Sequence, residues 1–230
     1  MWGCDSSGGS IRILRNEPLS SGGRSGLGSR RTVGGGMRVG LAGFAAFGAA
    51  MMMAPAAQAG VDAVDVGVMA HDVCITNCKN AHKEKGPSVE FEVSFDSPSY
   101  LQWAGSPHPY AVVSINTHGN TSFGGVGLEW HWQVAHNWSI DPGIGYVLHN
   151  GEIDNKYANG TPEAQKFQDE HLLLGSRDLF RISLGVTRQF TDHWDTQLFY
   201  SHLSHGQILG HGRNQGLDQV GVRLGYHFGP

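Results

Sequence analysis

Charge is scarce in this chain. Only 16% of its 230 residues are charged, and 16 Lys and Arg stand against 20 Asp and Glu, for a formal net charge of −4. No basic patch interrupts the sequence, so a nucleic-acid binder is excluded. A spanning helix is missing too. The apolar stretch at residues 39–54 is too short and too rich in Gly and Ala to cross a bilayer as a helix. Cysteine is nearly absent: there are three, and only Cys74 and Cys78 lie beyond residue 59.

The layout of the first 59 residues accounts for that apolar stretch. From Met37 the chain reads MRVGLAGFAAFGAAMMMAPAAQAG. Arg38 is a short basic start, an apolar run follows, and Ala57-Gln58-Ala59 is a small-residue cleavage site before Gly60, the pattern of a secretory signal peptide. Residues 1–36 are rich in Gly, Ser and Arg without apolar periodicity, and read as a disordered or mis-assigned extension. The expected division is therefore extension 1–36, signal peptide 37–59 and one domain at 60–230. Export leads to an oxidising compartment, where Cys74 and Cys78 are expected to pair, with free thiols as the alternative. A metal reading of His71, Cys74, Cys78 and His82 fails. On a helix that stripe would span roughly 16 Å, too far to close on one zinc ion.

What the chain does have is alternation. Val89-Glu90-Phe91-Glu92-Val93-Ser94-Phe95 places its acids on one face. Val220, Val222, Leu224, Tyr226 and Phe228 alternate with Gly221, Arg223, Gly225 and His227. A packed soluble core would reject Arg and His on its inner face, whereas an apolar exterior around a polar interior describes a membrane barrel. Strands are predicted at 61–70, 89–95, 110–117, 122–133, 138–148, 179–190, 194–204 and 217–228, with long polar loops at 71–87 and 149–176, the second with a helical turn around Glu163–Leu174. The fold class is all-β, an eight-stranded antiparallel up-and-down transmembrane barrel. Trp130, Trp132, Trp138, Trp194 and Tyr226 fall near strand ends, as interfacial belts require. The short 191–193 turn is placed at the periplasmic side, so residue 204 ends its strand near the outer leaflet.

The last two strands carry the candidate chemistry. His202 and Ser204 lie at i and i+2, so they project from one face, with the parity of Trp194, Leu198 and Tyr200. Asp218 has the parity of Val220, Val222 and Leu224 and is expected to meet them across the hairpin. Base, nucleophile and acid would then all sit on the lipid-facing side. A serine hydroxyl needs an adjacent base to attack an ester, and the imidazolium that forms needs a carboxylate partner.

His202-Leu203-Ser204-His205-Gly206, followed by Asn214-Gln215-Gly216-Leu217-Asp218, resembles the lipid A 3-O-deacylases, also labelled outer-membrane acyloxyacyl hydrolases. Their pattern is approximately H-x-S-N-x-G, a short loop, then N-x-G-x-E. The resemblance implies that Ser204 is the nucleophile, His202 its base and Asp218 the orienting acid. It also implies an outer-membrane location and a lipid A or lipopolysaccharide substrate. Two positions depart. His205 replaces an Asn that helps hold the oxyanion, so that role passes to the backbone N–H of His205 or Gly206, or to Asn214. Asp218 replaces the longer Glu. No metal or cofactor is implied, and a homodimer stays open. The alternatives are a non-enzymatic structural or adhesive outer-membrane barrel, a calcium-dependent phospholipase barrel, for which no motif appears, and a soluble ligand-binding barrel, which Arg223 and His227 argue against.

Overall fold

The computed structural model describes residues 60–76 and 78–228. The expected extension and signal peptide lie outside the described residues. Nine antiparallel strand segments are β1 (Val61–His71), β2 (Ser88–Phe95), β3 (His108–Asn116), β4 (Phe123–Glu129), β5 (Trp132–Ala135), β6 (Trp138–His149), β7 (Asp178–Gln189), β8 (Trp194–Ser204) and β9 (Leu217–His227). A 3-10 helix occupies Ser99–Ala104 and an α-helix, α1, Pro162–Glu170. The sheet runs β4-β3-β2-β1-β9-β8-β7-β6-β5, and a β4–β6 ladder closes it.

The barrel has eight strands because β4 and β5 are one strand with a break. Both hold the same register on β6, with Glu129 opposite Gly143 and Trp132 opposite Ile140. The break at Trp130 and His131 faces Pro142. The Trp130 N–H donates to the Pro142 carbonyl at 2.9 Å, and proline has no N–H to return.

The expected inside-out pattern holds. Val68, Ile115, Ile144, Leu148, Ile182, Leu198 and Val222 are exposed on the outer wall. Trp132, Trp138 and Trp194 are exposed toward the short-turn end, where Trp194 meets Tyr226 edge-on at 4.9 Å between centroids. Trp130 behaves differently. Its Nε1–H donates to the Ala104 carbonyl at 2.8 Å and pins the loop carrying the 3-10 helix.

Inside, Glu90 and Glu92 of β2 meet Arg181 of β7 and Arg223 of β9. Arg181 reaches Glu90 at 2.9 Å and Glu92 at 3.0 Å; Arg223 reaches Glu92 at 3.1 Å and also pairs with Glu90. All four side chains are almost fully buried. Two acids facing two bases balance in charge, and removing one partner would cost about 3–5 kcal/mol. Tyr110 fills the lumen against Gly127 and Gly145, where a Cβ would fall 2.4 Å from its hydroxyl.

The end with the longer loops is plugged. Leu172 and Leu174 are fully buried and join Leu179, Leu203, Leu217, Phe123 and Val147 in one apolar cluster. The expected helical turn in the 149–176 loop is present as α1, but it stops at Glu170 rather than Leu174, and three consecutive leucines, fully buried, then turn down into the barrel mouth. Glu84 ties this plug to its neighbours. Its carboxylate accepts from the Thr121 N–H and hydroxyl, each at 3.0 Å, from His71 Nε2 at 3.0 Å, and from the Leu172 N–H at 3.3 Å. Burial pushes the Glu84 carboxyl up, but the bonds from His71 and Thr121 outweigh it and hold the group below the usual carboxylate range.

Candidate active site

Leu203 and Leu217 fix the site before any catalytic group is considered. They are direct cross-strand partners with their side chains in the plug cluster. Burying each contributes about 1.5–3 kcal/mol, and a one-residue slip would expel both. With Leu203 inward, His202 and Ser204 must point outward. With Leu217 inward, so must Asp218. The register then sets His202 directly opposite Asp218.

The two side chains meet. His202 Nδ1 lies 2.6 Å from Asp218 Oδ1. The aspartate is buried, and the imidazole keeps 21% of its surface open. Asp218 is saturated with donors: His202 Nδ1, the Tyr200 hydroxyl at 3.1 Å, the Thr76 N–H at 2.7 Å, the Ile75 N–H at 3.3 Å and the Thr76 hydroxyl at 2.9 Å. Thr76 Oγ1 is also 2.9 Å from His202 Nδ1. With Nδ1–H committed to the carboxylate, the Nε2 lone pair faces away from Asp218, as a base requires.

Gly216 explains its place in the motif. Its φ is +55°, and a Cβ there would come 2.9 Å from His202 Cε1 and 3.6 Å from Nε2. Only glycine takes that backbone conformation without strain and leaves the imidazole its place.

Ser204 is half-buried at the end of β8, opposite Phe180 of β7. It shares the outer face with His202, about 6.6 Å further along the strand. No hydrogen bond links the two among the described residues. The positions expected to hold an oxyanion divide. The His205 ring is fully buried: its Nε2 donates to the Arg213 carbonyl at 2.8 Å and its Nδ1 accepts from the Gln207 N–H at 3.1 Å, which closes the 205–216 loop. Gly206 has φ +58° and lies against the Phe180 ring. Asn214 Oδ1 is buried without a partner.

Thr76 and Tyr200 were not singled out by sequence reasoning. Tyr200 shares the outer face with His202, so alternation alone was enough to find it. Thr76 gave no such signal, being 142 residues from Asp218. It stands between Cys74 and Cys78, which form the expected disulfide with Cα atoms 4.4 Å apart. The disulfide loop presents Thr76 to Asp218.

Taken together, the closed sheet, apolar outer wall and charged lumen define a transmembrane β-barrel of the outer-membrane kind, with a histidine–aspartate pair on its outer rim beside a serine. The chain belongs to the lipid A 3-O-deacylase (PagL) family, whose sequence pattern matches residues 87–227. Among curated proteins, none matches. Solved structures similar to the chain include the outer membrane enzyme PagL, at 14% identity and a TM-score of 0.47 over 72% of this chain and 98% of that one. They also include a de novo designed transmembrane β-barrel, at 10% identity and a TM-score of 0.43 over 74% and 96%. The N-terminal β-barrel domain of Pseudomonas aeruginosa OprF is similar at 9% identity and a TM-score of 0.43 over 73% and 98%. The family assignment carries lipid A deacylation, an ester hydrolysis, as the family-level activity, and the bacterial outer membrane as its location.

Proposed function

We propose that this chain is a serine esterase that removes the 3-O-linked acyl chain of lipid A, with Ser204 as nucleophile, His202 as general base and Asp218 as the acid that orients the imidazole. The observation that carries the reading is the 2.6 Å bond between His202 Nδ1 and Asp218 on the lipid-facing rim, two residues before a serine on the same face. A partly open histidine and a buried aspartate on the outer face of a membrane barrel are costly unless they work.

In the first step His202 Nε2 takes the Ser204 proton as Oγ attacks the acyl carbonyl carbon. The tetrahedral intermediate collapses, and the imidazolium returns its proton to the departing sugar oxygen. Water then attacks the acyl-enzyme, again giving a proton to Nε2, and the fatty acid leaves as Ser204 is restored. The oxyanion is held by the backbone N–H of His205 or Gly206, or by the Asn214 amide. The His205 side chain is occupied in the loop and takes no part. Thr76 and Tyr200 act as positioning residues, holding the carboxylate that holds the base. The reading needs one chain and no metal or cofactor at this rim.

The test is mass spectrometry of lipid A from cells carrying the wild-type chain or Ser204→Ala, at matched amounts of folded barrel. The expected result is loss of one ester-linked acyl chain with the wild type and an unchanged lipid A with the variant. Equal deacylation by both would leave a barrel in which Ser204 is structural.

A further inference from the structure

The far end of the barrel carries a second cluster that the esterase reading does not use. We propose that Asp62, His108 and His131 form a binding site for a divalent transition-metal cation of the zinc type at the short-turn mouth of the lumen, the mouth that faces the periplasm in outer-membrane barrels. One donor atom from each lies within 4.8 Å of the other two. Tetrahedral zinc bonds of about 2.0–2.2 Å place donors roughly 3.4 Å apart, so small side-chain shifts close the set.

Each ligand reaches the mouth for a backbone reason. Asp62 should point outward by parity. The β1–β2 register shifts between Val61 and Ala63, and this bulge makes Asp62 the extra residue and turns it to the lumen. His131 sits in the break between β4 and β5. His108 begins β3, and its ring meets that of His131 edge-on at 4.9 Å between centroids.

The polar geometry calls for a cation. His108 Nδ1 is 2.9 Å from Asp62 Oδ2 and is buried without any other partner. His131 Nδ1 is 3.1 Å from Asp141 Oδ1, and Asp141 is itself held by Thr187 and Gln197. That leaves His131 Nε2 free for a metal, in the carboxylate–histidine–metal relay common around bound metals. Glu129 is 5% exposed, its Oε2 has no partner, and it lines the same cavity of about 350 Å³. Among the described residues, no Lys or Arg lines that cavity. Two imidazoles and one carboxylate suit zinc-type ions, whereas calcium and magnesium prefer all-oxygen shells. The ion would join β1, β3 and the β4–β5 strand where a bulge and a break leave the ladder incomplete.

Cobalt(II) is the probe, titrated into the refolded full-length barrel with its disulfide intact. One equivalent should bind, with the visible absorption of a four- or five-coordinate site, and zinc should displace it. Zinc should also raise the unfolding temperature of the wild type. Asp62→Asn, which is nearly isosteric, and His131→Ala should abolish both effects while keeping the barrel's circular dichroism and gel mobility. The proposal is overturned if no such absorption appears below millimolar cobalt, if it persists in both variants, or if equimolar calcium displaces it. None of these readouts depends on esterase activity.

Discussion

The two ends of the barrel both set histidine beside carboxylate, but the carboxylates differ in what else they hold. On the outer rim Asp218 accepts from two backbone N–H groups, two hydroxyls and one imidazole. Its capacity is spent, and on the proposed reading it holds His202 in one tautomer and one orientation. At the short-turn mouth Glu129 Oε2 has no hydrogen-bond partner, and His108 Nδ1 has only Asp62 beside it. On the proposed reading, a saturated acid makes a base out of its neighbour and an unsaturated one is open to a cation. The same residue types thus take two chemistries according to how many donors the surrounding loops deliver.

The strongest way to break the comparison is to remove the groups proposed to react at the rim. Ser204→Ala and His202→Ala should each lower the deacylation rate on purified lipid A by on the order of 10⁴-fold or more, with the barrel still folded by gel mobility. Asp218→Asn should follow closely, at about 10³–10⁴-fold, because an amide in place of the acid favours the wrong tautomer. Asp218→Glu keeps the charge and should retain measurable turnover. An Asn variant as fast as the wild type would make Asp218 a turn residue and move the third member of the triad elsewhere.

Gly216→Ala tests the floor beneath the imidazole. The new Cβ meets His202 Cε1 at 2.9 Å, and the φ of +55° costs an L-residue about 1–2 kcal/mol. The expected loss in kcat is about 10- to 100-fold, with KM little changed, because the ring is displaced and the lipid contacts are not. A rate equal to wild type would show that the ring has room the structure does not give it.

The parts that were legible in the sequence are those governed by a period of two. Strand positions, the inward Glu90, Glu92 and Arg223, and the outward His202, Ser204 and Asp218 all follow from alternation, and alternation survives folding because Leu203 and Leu217 can satisfy only one parity. What was not legible breaks the period or ignores it. Asp62 is re-aimed by a bulge that leaves no mark in composition. The β4–β5 strand is interrupted opposite Pro142, on a different segment of sequence. Leu172, Leu173 and Leu174 sit among polar neighbours and read as the end of a helical turn in a polar loop until the barrel mouth they fill is known. Contacts between a loop and a strand 142 residues away carry no periodic signal at all, which is why Thr76 was missed.

Thr76 therefore sharpens the comparison most finely, since removing it moves Asp218 one step toward the under-bonded state of the other end. Its hydroxyl and N–H both reach the carboxylate, and the hydroxyl also touches His202 Nδ1. Thr76→Val deletes the hydroxyl and keeps the N–H and the side-chain shape. One lost hydrogen bond to a charged group is worth about 1.5–3 kcal/mol, but Tyr200, Ile75 and the Thr76 N–H remain, so the expected fall in kcat is nearer 10-fold, about 1.4 kcal/mol. KM should stay within about twofold, because Thr76 is argued to touch the acid and not the lipid. Thr76→Ser restores the donor and should restore the rate. Cys74→Ser with Cys78→Ser frees the loop that delivers the whole residue, so its loss should equal or exceed that of Thr76→Val. If Thr76→Ser is as slow as Thr76→Val, the methyl group and not the hydroxyl is what matters, and Asp218 is oriented by its strand and Tyr200 alone.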